Sequence, residues 1–557
     1  MLLGNYLVSG GRETVLVLWQ LDTNQQQYLP HLSAPICNVV VSISGSSYAM
    51  RMADNTVMVL STSDLVPKTN ISGLSVARGL STKLRAKISP KDPDQLLLAT
   101  PSDLSANPQP SSNQSATMLQ TFNLRTSHQV SRQALARNTT TVINVDPKGR
   151  HIVDPDVMHL EISHDGLWLA TVDEWTSPQT DCEPLDHQVE ESRSLCKTET
   201  FLKFWSWKEK SQTWEMTTRI DQPHSAAPRS VLGITVNPVR EEFASAGSDG
   251  YVRIWAPMLR IRNGQPIRDL AGESLYTWTC LRECRPDLMP LSQSTSQAES
   301  ATLAYSEDGS TIAVSYSFPA GRTQMVHFIN SRTGLLRHSE AQLHSRGDVQ
   351  MKFSGSHLLL LSDEFSVWDV VRSECVFYIS FRNAFIRNHC RFLATNPFDR
   401  TFALALNPPD FQTPAVIAVF DANRLGKLLY QGKIHGHVKT LLPRLKGPGY
   451  VVVDGQARIV QMKPGDAARE SLNATSGVKG EAVKGLIDIF GSSKDDIKVG
   501  GHTGEGMLRI SNGDGAALTS DGRPRSLEDV LEQQAFSTPL PVSELFERVA
   551  SLFRKSQ

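Results

Sequence analysis

The sequence predicts an all-β chain, a β-propeller with a short α-helical C-terminal tail. Three observations predict it. Residues Ser230 to Pro257 read as three short strands in hairpin succession. The aromatic or apolar end of that stretch recurs along the chain, at its shortest every 40 residues, as from Trp19 to Val59. The β pattern then stops after Pro464, and helical periodicity replaces it.

Within the central stretch, Val231, Ile234 and Val236 form an apolar run and Asn237-Pro238 a turn. Phe243 to Gly247 is a small-residue strand, and Ser248-Asp249-Gly250 is a hairpin signal in which glycine can take a positive φ. Tyr251 to Trp255 is the partner strand, with Val252 and Ile254 on one face. This order, ending in Trp, resembles a WD-repeat blade. In such blades a turn Asp, a strand Ser or Thr and the Trp are tied by hydrogen bonds to a His in the preceding loop. The resemblance assigns these structural roles to Asp249, Ser245, Trp255 and His224. The plainer reading is an ordinary hairpin with an exposed Trp. Recurrence weighs against it.

The positions matching Trp255 are Trp19, Val59, Phe122, Trp205, Phe328, Trp368, Phe420 and Val460. Their shortest gaps fit the roughly 40–45-residue period of WD blades, and the longer gaps contain polar insertions. Ser163-His-Asp-Gly166 and Ser306-Glu-Asp-Gly309 are turn signals before second strands. Gly436-His437 opens the last repeat, and Asp454-Gly455 repeats the hairpin turn. Trp19, Trp205 and Trp368 are therefore expected to be blade residues like Trp255.

Two blades cannot close a ring, because each must bury its faces against neighbours. Seven markers from Phe122 to Val460 make a complete ring by themselves. The expected organisation is thus residues 1–74 as the last two blades of a first, incomplete WD propeller, the chain beginning inside that ring. Residues 75–464 follow as one complete seven-bladed propeller, 465–525 as a flexible linker with a short helix, and 526–557 as a helical tail. The alternative is a single nine-bladed ring. Insertions fall between strands: Ser102 to Ala116 is rich in Pro, Ser and Asn, Ser177 to Thr200 is acidic, and Arg285 to Ser300 is polar.

In the tail, Ser526 caps Leu527 to Gln534, with acids in the first turn where the helix dipole favours them. Glu544 to Lys555 forms a second helix, whose Leu545, Phe546, Val549, Leu552 and Phe553 make one apolar stripe. A helix this short is marginal alone in water. Its stripe is expected to be buried on a partner protein, the alternative being its own propeller.

Bulk numbers narrow the function. With 557 residues, 40% hydrophobic and 20% charged, the chain is globular and suits about two or three domains. Its 56 Lys and Arg against 57 Asp and Glu leave a net charge of −1. That argues against coating a phosphate backbone as the main task, since such binding rests on clustered cations. No apolar run is long enough to cross a membrane, and the N-terminus lacks the basic flank of a signal peptide. Seven scattered cysteines suit a reducing compartment, and Cys280-x3-Cys284 lacks the partners of a zinc site.

Chemistry-bearing motifs are missing: no phosphate-binding P-loop, no H-E-x-x-H, no G-x-S-x-G and no kinase signature set. Gly500 to Gly506 is glycine-rich but follows no strand, so a linker is the better reading than a phosphate cradle. His435-Gly-His437 reads as a blade-opening turn rather than a metal site. No catalytic, cofactor or metal residues are expected, and no small-molecule substrate. A propeller of this kind is most often a scaffold.

Several phrases are more specific. Leu7 to Leu21 (LVSGGRETVLVLWQL), Tyr28 to Leu32 and Met52 to Val59 resemble the close of the first propeller in one group. Leu169 to Trp175, Phe201 to Trp207 and Thr218 to His224 resemble its second propeller. The group is the tandem-propeller WD-repeat subunit of the t-UTP (UtpA) subcomplex of the small-subunit processome, in its fungal form. The resemblance implies a nucleolar, non-catalytic scaffold needed for early pre-rRNA processing (18S rRNA maturation) and supporting RNA polymerase I transcription. It implies the other t-UTP subunits as partners, with the U-three small nucleolar ribonucleoprotein and pre-rRNA reached through the complex. Another WD-repeat scaffold, such as a ubiquitin-ligase substrate receptor or trafficking coat subunit, is the alternative. An enzyme using the propeller as a platform is a third reading, disfavoured by the missing motifs.

Overall fold

The computed structural model describes residues 6–11, 14–30, 32, 36–52, 55–62, 65–74, 76, 83–101, 116–136, 155–176, 198–224, 230–286, 298–318, 325–341, 343, 349–380, 391–408, 413–463 and 509–510. Among these, every regular element is a β-strand. Many strands are Val-, Ile-, Leu- and Phe-rich runs, such as Tyr450–Asp454, while others, such as Gln25–Leu29 and Leu336–Ala341, are mostly polar.

Among the described residues the strands form nine sheets of three or four strands and one two-stranded hairpin, each paired antiparallel in chain order. The first sheet is β1 (Tyr6–Gly10), β2 (Leu16–Gln20) and β3 (Gln25–Leu29). The second is β4 (Ile36–Val41), β5 (Ser47–Met52), β6 (Thr56–Ser61) and β7 (Pro67–Ser72). The third is β8 (Ala86–Ile88), β9 (Gln95–Pro101), β10 (Ala116–Asn123) and β11 (His128–Ala134). The fourth is β12 (Asp156–Ile162), β13 (Trp168–Thr176), β14 (Thr198–Lys208) and β15 (Thr213–Asp221). The fifth holds β16 (Val231–Val236), β17 (Phe243–Gly247) and β18 (Val252–Leu259). A separate hairpin, β19 (Ile261–Arg262) and β20 (Gln265–Pro266), then precedes its last strand, β21 (Tyr276–Cys284).

The sixth sheet is β22 (Ser300–Tyr305), β23 (Thr311–Ser317), β24 (Met325–Asn330) and β25 (Leu336–Ala341). The seventh is β26 (Gln350–Ser354), β27 (His357–Leu361), β28 (Glu364–Asp369) and β29 (Glu374–Ser380). The eighth is β30 (Arg391–Asn396), β31 (Thr401–Leu406), β32 (Ala415–Asp421) and β33 (Leu428–Ile434). The ninth is β34 (Val438–Pro443), β35 (Tyr450–Asp454), β36 (Ile459–Lys463) and β37 (Arg509–Ile510).

The cores lie between sheets. Phe204 of the fourth sheet shares one with Phe243, Trp255 and Trp278 of the fifth, its ring stacked 4.3 Å from that of Trp278. Comparable clusters join the third sheet to the fourth, and every later sheet to its successor. The run then returns on itself: Leu442, Val451, Val453 and Ile459 of the ninth sheet pack with Ile88, Leu96, Leu98 and Phe122 of the third. Leu84 N–H donates to the Lys439 carbonyl across that seam at 2.9 Å. The first two sheets share a core of their own, built on Leu16, Leu18, Tyr48, Met50 and Leu60.

The expected insertions start after β9, β13 and β21, but their last residues, Ala116, Thr198–Thr200 and Ser300, already belong to β10, β14 and β22. Two expectations need correction. The stretch 465–525 is not linker throughout, because Arg509–Ile510 pairs with β36, Ile510 opposite Met462. An edge strand leaves N–H and C=O groups to be satisfied, and two residues suffice to cover part of it while carrying no periodicity to read. The repeat markers also shift. Trp205, Trp255, Trp368 and Phe420 each follow a register irregularity in the pairing of third and fourth strands. By that criterion the equivalents of Val59 and Phe328 are Leu60 and Ile329, one residue on. In the ninth sheet Met462, opposite Tyr450, replaces Val460. Apolar neighbours on one strand look alike in sequence; only cross-strand pairing separates them. The C-terminal helices, with Leu545, Phe546, Val549, Leu552 and Phe553, lie outside the described residues.

Candidate functional site

Four residues predicted as blade residues meet in the fifth sheet. Trp255 on β18 donates its indole N–H to Ser245 Oγ on β17 at 2.8 Å. Ser245 Oγ lies 2.8 Å from His224 Nε2, and His224 Nδ1 lies 3.0 Å from Asp249 Oδ1. Trp can only donate, so Ser245 accepts from it, and the same hydroxyl faces His224 Nε2. His224 Nδ1 meets both Asp249 Oδ1 and, at 2.6 Å, the Arg253 guanidinium. Asp249 also accepts from the Tyr251 N–H, which closes the β17–β18 turn, where Gly250 takes φ 76°.

The pattern read in the sequence left out one member. Arg253 donates to Asp249 Oδ2 at 2.8 Å and stands against the imidazole. Its position, four residues after Asp249 and facing away from Val252 and Ile254, was the available signal. Burial alone would raise the Asp249 pKa; the bonds from His224 and Arg253 override it and hold the carboxyl at about 2. Burial lowers His224, with the Arg253 charge acting the same way and Asp249 opposing. A neutral imidazole between a hydroxyl and an ionised carboxylate is the result.

Ser245, His224 and Asp249 thus have the connectivity of a nucleophilic triad. The setting denies them that role. Ser245 is 0% exposed and is capped by Trp255, so no substrate carbonyl can reach its oxygen. What the chain of bonds does is lock the loop before β16, the β17–β18 turn and two strands into one unit.

The same device recurs in weaker forms. Trp205 donates to Thr171 at 2.9 Å and Trp19 to Ser9 at 2.9 Å, each hydroxyl lying two residues beyond the Trp's cross-strand partner, as Ser245 does. Trp368 differs: its second-strand position is Leu360, and it donates to the Leu343 carbonyl at 3.1 Å and Ser366 at 3.2 Å. In the ninth sheet Asp454 caps the N–H groups of Gln456 and Arg458, both at 2.8 Å, while burial raises its pKa. Gly455 N–H donates to the His437 carbonyl at 2.8 Å. Among the described residues no cluster of three or more His, Cys, Asp or Glu could hold a metal ion.

No family model matches the chain. It is 27% identical over 382 residues to "U3 small nucleolar RNA-associated protein 17" of Schizosaccharomyces pombe, a match covering 66% of this chain and 43% of that protein. It is 25% identical over 342 residues to "NET1-associated nuclear protein 1" of Saccharomyces cerevisiae, covering 56% and 35%. It is 23% identical over 320 residues to human "WD repeat-containing protein 75", covering 56% and 31%. The chain thus resembles these proteins at modest identity over 56–66% of its length. It spans less than half the length of these curated WD-repeat relatives, 43% at most. A solved β-propeller domain, Cps50 (Swd1) from Myceliophteria thermophila, aligns over 66% of this chain and 94% of its own at 12% identity and a TM-score of 0.31. The fold is read from strand order and shared cores.

Proposed function

We propose that this chain is a non-catalytic scaffold of ribosome biogenesis in the nucleolus, a subunit of the small-subunit processome acting in early pre-rRNA processing and supporting RNA polymerase I transcription. The observation that carries this reading is the match to the relative named for the U3 small nucleolar RNA, which covers 66% of the chain. In this reading the partners are the other t-UTP subunits, with the U-three ribonucleoprotein and pre-rRNA reached through the assembly.

The architecture supplies what such a scaffold needs. The third to ninth sheets, residues 75–464 with the strand at 509–510, are seven blades of one closed ring in this proposal. The returning core between the ninth and third sheets supports it. Residues 1–74 are the last two blades of another ring, supported by their separate core. The locked His224–Asp249–Ser245–Trp255 unit keeps a blade rigid, so that loops at both ends hold fixed positions for partners. The tail 526–557 is the element that docks sister subunits, through Leu545, Phe546, Val549, Leu552 and Phe553.

Depletion of the protein, with its tagged form followed by microscopy, tests the reading. Early pre-rRNA precursors should accumulate and the tag should mark the nucleolus. Normal precursor levels together with a cytoplasmic tag would overturn it.

A further inference from the structure

Antiparallel pairing in chain order sends every first-to-second and third-to-fourth connection of these sheets to one end. On the sixth to ninth sheets that end carries a repeated pair, an exposed apolar side chain beside a basic one. Leu335 accompanies Arg332 and Val371 accompanies Arg372 in third-to-fourth turns. Phe398 accompanies Arg400 and Leu445 accompanies Lys446 in first-to-second turns. Three of the apolar tips are well over half exposed: Leu335 67%, Val371 82% and Phe398 62%.

The turns are held in place relative to one another. Gly355 N–H donates to Glu307 Oε1 at 2.9 Å, joining the sixth and seventh sheets. Gly449 N–H donates to Asp399 Oδ2 at 3.1 Å, and Asn396 Nδ2 to the Gly447 carbonyl at 3.1 Å, joining the eighth and ninth. Within each of these two pairs the first-to-second turns are therefore preorganised, which lowers the cost of binding.

Its charges are sorted by height. Asp369 accepts from the N–H groups of Val371 at 2.9 Å and Arg372 at 3.2 Å. Asp421 does the same for Asn423 at 2.9 Å and Arg424 at 3.3 Å. Asp369 also pairs loosely with the Arg372 guanidinium at 3.9 Å, but the Arg372 side chain is 75% exposed and that of Asp369 15%, so the cation is the more accessible of the two. In a chain of net charge −1, this end presents the exposed cations Arg332, Arg372, Arg400, Arg424 and Lys446, with the exposed turn carboxylates Glu307 and Asp308 confined to the sixth sheet's first turn.

We propose that this end of the sixth to ninth sheets is a docking surface for a partner protein segment carrying interspersed acidic and aliphatic side chains. Aliphatic tips gain by being covered, and the cations between them select carboxylates and fix the register. Single-stranded nucleic acid would be met by successive aromatic platforms. Here one tip of four, Phe398, is aromatic. The proposal does not depend on which assembly the chain serves.

The test uses the full chain and a fluorescent amphipathic peptide of Glu and Leu, beside a matched Lys and Leu peptide and polyuridine, at physiological salt. The Glu peptide should bind at least about tenfold more tightly than the other two. Val371→Asp with Phe398→Asp, and separately Arg372→Glu with Arg400→Glu, should each weaken it at least about tenfold without moving the melting temperature, since all four are exposed turn residues. Failure of the Glu peptide to bind, equal binding by both double variants, or preference for the Lys peptide would overturn the proposal. Preference for polyuridine would make the surface a nucleic-acid site instead.

Discussion

A Cβ placed on Gly247 would stand 2.2 Å from Nδ1 of His224 and 2.5 Å from Oδ1 of Asp249. Nothing in the backbone at Gly247 demands glycine through a positive φ; the space does. The imidazole occupies the volume that any side chain at 247 would need, so the hydrogen-bonded unit and the glycine depend on each other.

Gly247→Ala should therefore displace His224 and loosen its bonds to Ser245 and Asp249. Overpacking of this kind costs about 1–3 kcal/mol. The urea midpoint should fall while the slope of the transition stays constant. A variant with the parental midpoint would show that the imidazole moves aside freely and that the unit is not a lock.

The fourth sheet contains a buried ion pair, Lys203 Nζ to Asp173 Oδ2 at 2.9 Å, the two side chains 9% and 2% exposed. Lys203 also donates to the Leu135 carbonyl at 3.2 Å. Burial pushes the Asp173 pKa up, and the Lys203 charge resists. Lys203→Met leaves the carboxylate without that charge and should cost about 3–5 kcal/mol. Lys203→Met with Asp173→Leu should recover most of the loss, since apolar replacement of both partners is often neutral. Equal destabilisation in the single and double variants would rule out charge burial as the cause.

His159, on β12, is held at about pKa 4, first by burial and then by the Arg85 charge. The folded state thus favours the neutral ring, and between about pH 4 and 6.5 the unfolded chain binds more protons. Its contribution to stability is complete above 6.5 and is lost as the pH falls towards 4. His224, also lowered, acts in the same direction. Asp249, at about 2, adds a loss only at lower pH. Urea titrations at pH 7 and pH 4.5 should differ less for His159→Gln than for the parent, by on the order of 2 kcal/mol. An unchanged difference would remove His159 as its source.

Much of the fifth sheet was legible in the residues. Asp249-Gly250 places the turn, Phe243 to Gly247 and Tyr251 to Trp255 place its strands, and each signal acts within a few residues. The β19–β20 hairpin was also legible: Asn263-Gly264, with φ of 52° and 77°, is the dipeptide that its turn type favours. It went unread because it interrupts a repeat. Lys203 and Asp173 could not be paired beforehand, since thirty residues and the acidic insertion separate them and only the β13–β14 register brings them together.

By itself, the sequence determined the β character of the repeated stretches, three strands and the hairpin turn of the fifth sheet, and a resemblance to WD-repeat proteins. Those follow from period-two alternation and turn chemistry, which act over a handful of residues. Tertiary structure alone decided the rest. It set the register that makes Met462 rather than Val460 the marker, the recruitment of Arg509–Ile510 to the edge of β36, and the packing of the ninth sheet on the third. It also buried Ser245 beneath Trp255, making a Ser–His–Asp constellation structural rather than reactive. Each of these depends on which distant edges and apolar faces meet once the chain closes, and contacts at that separation leave no local pattern to read.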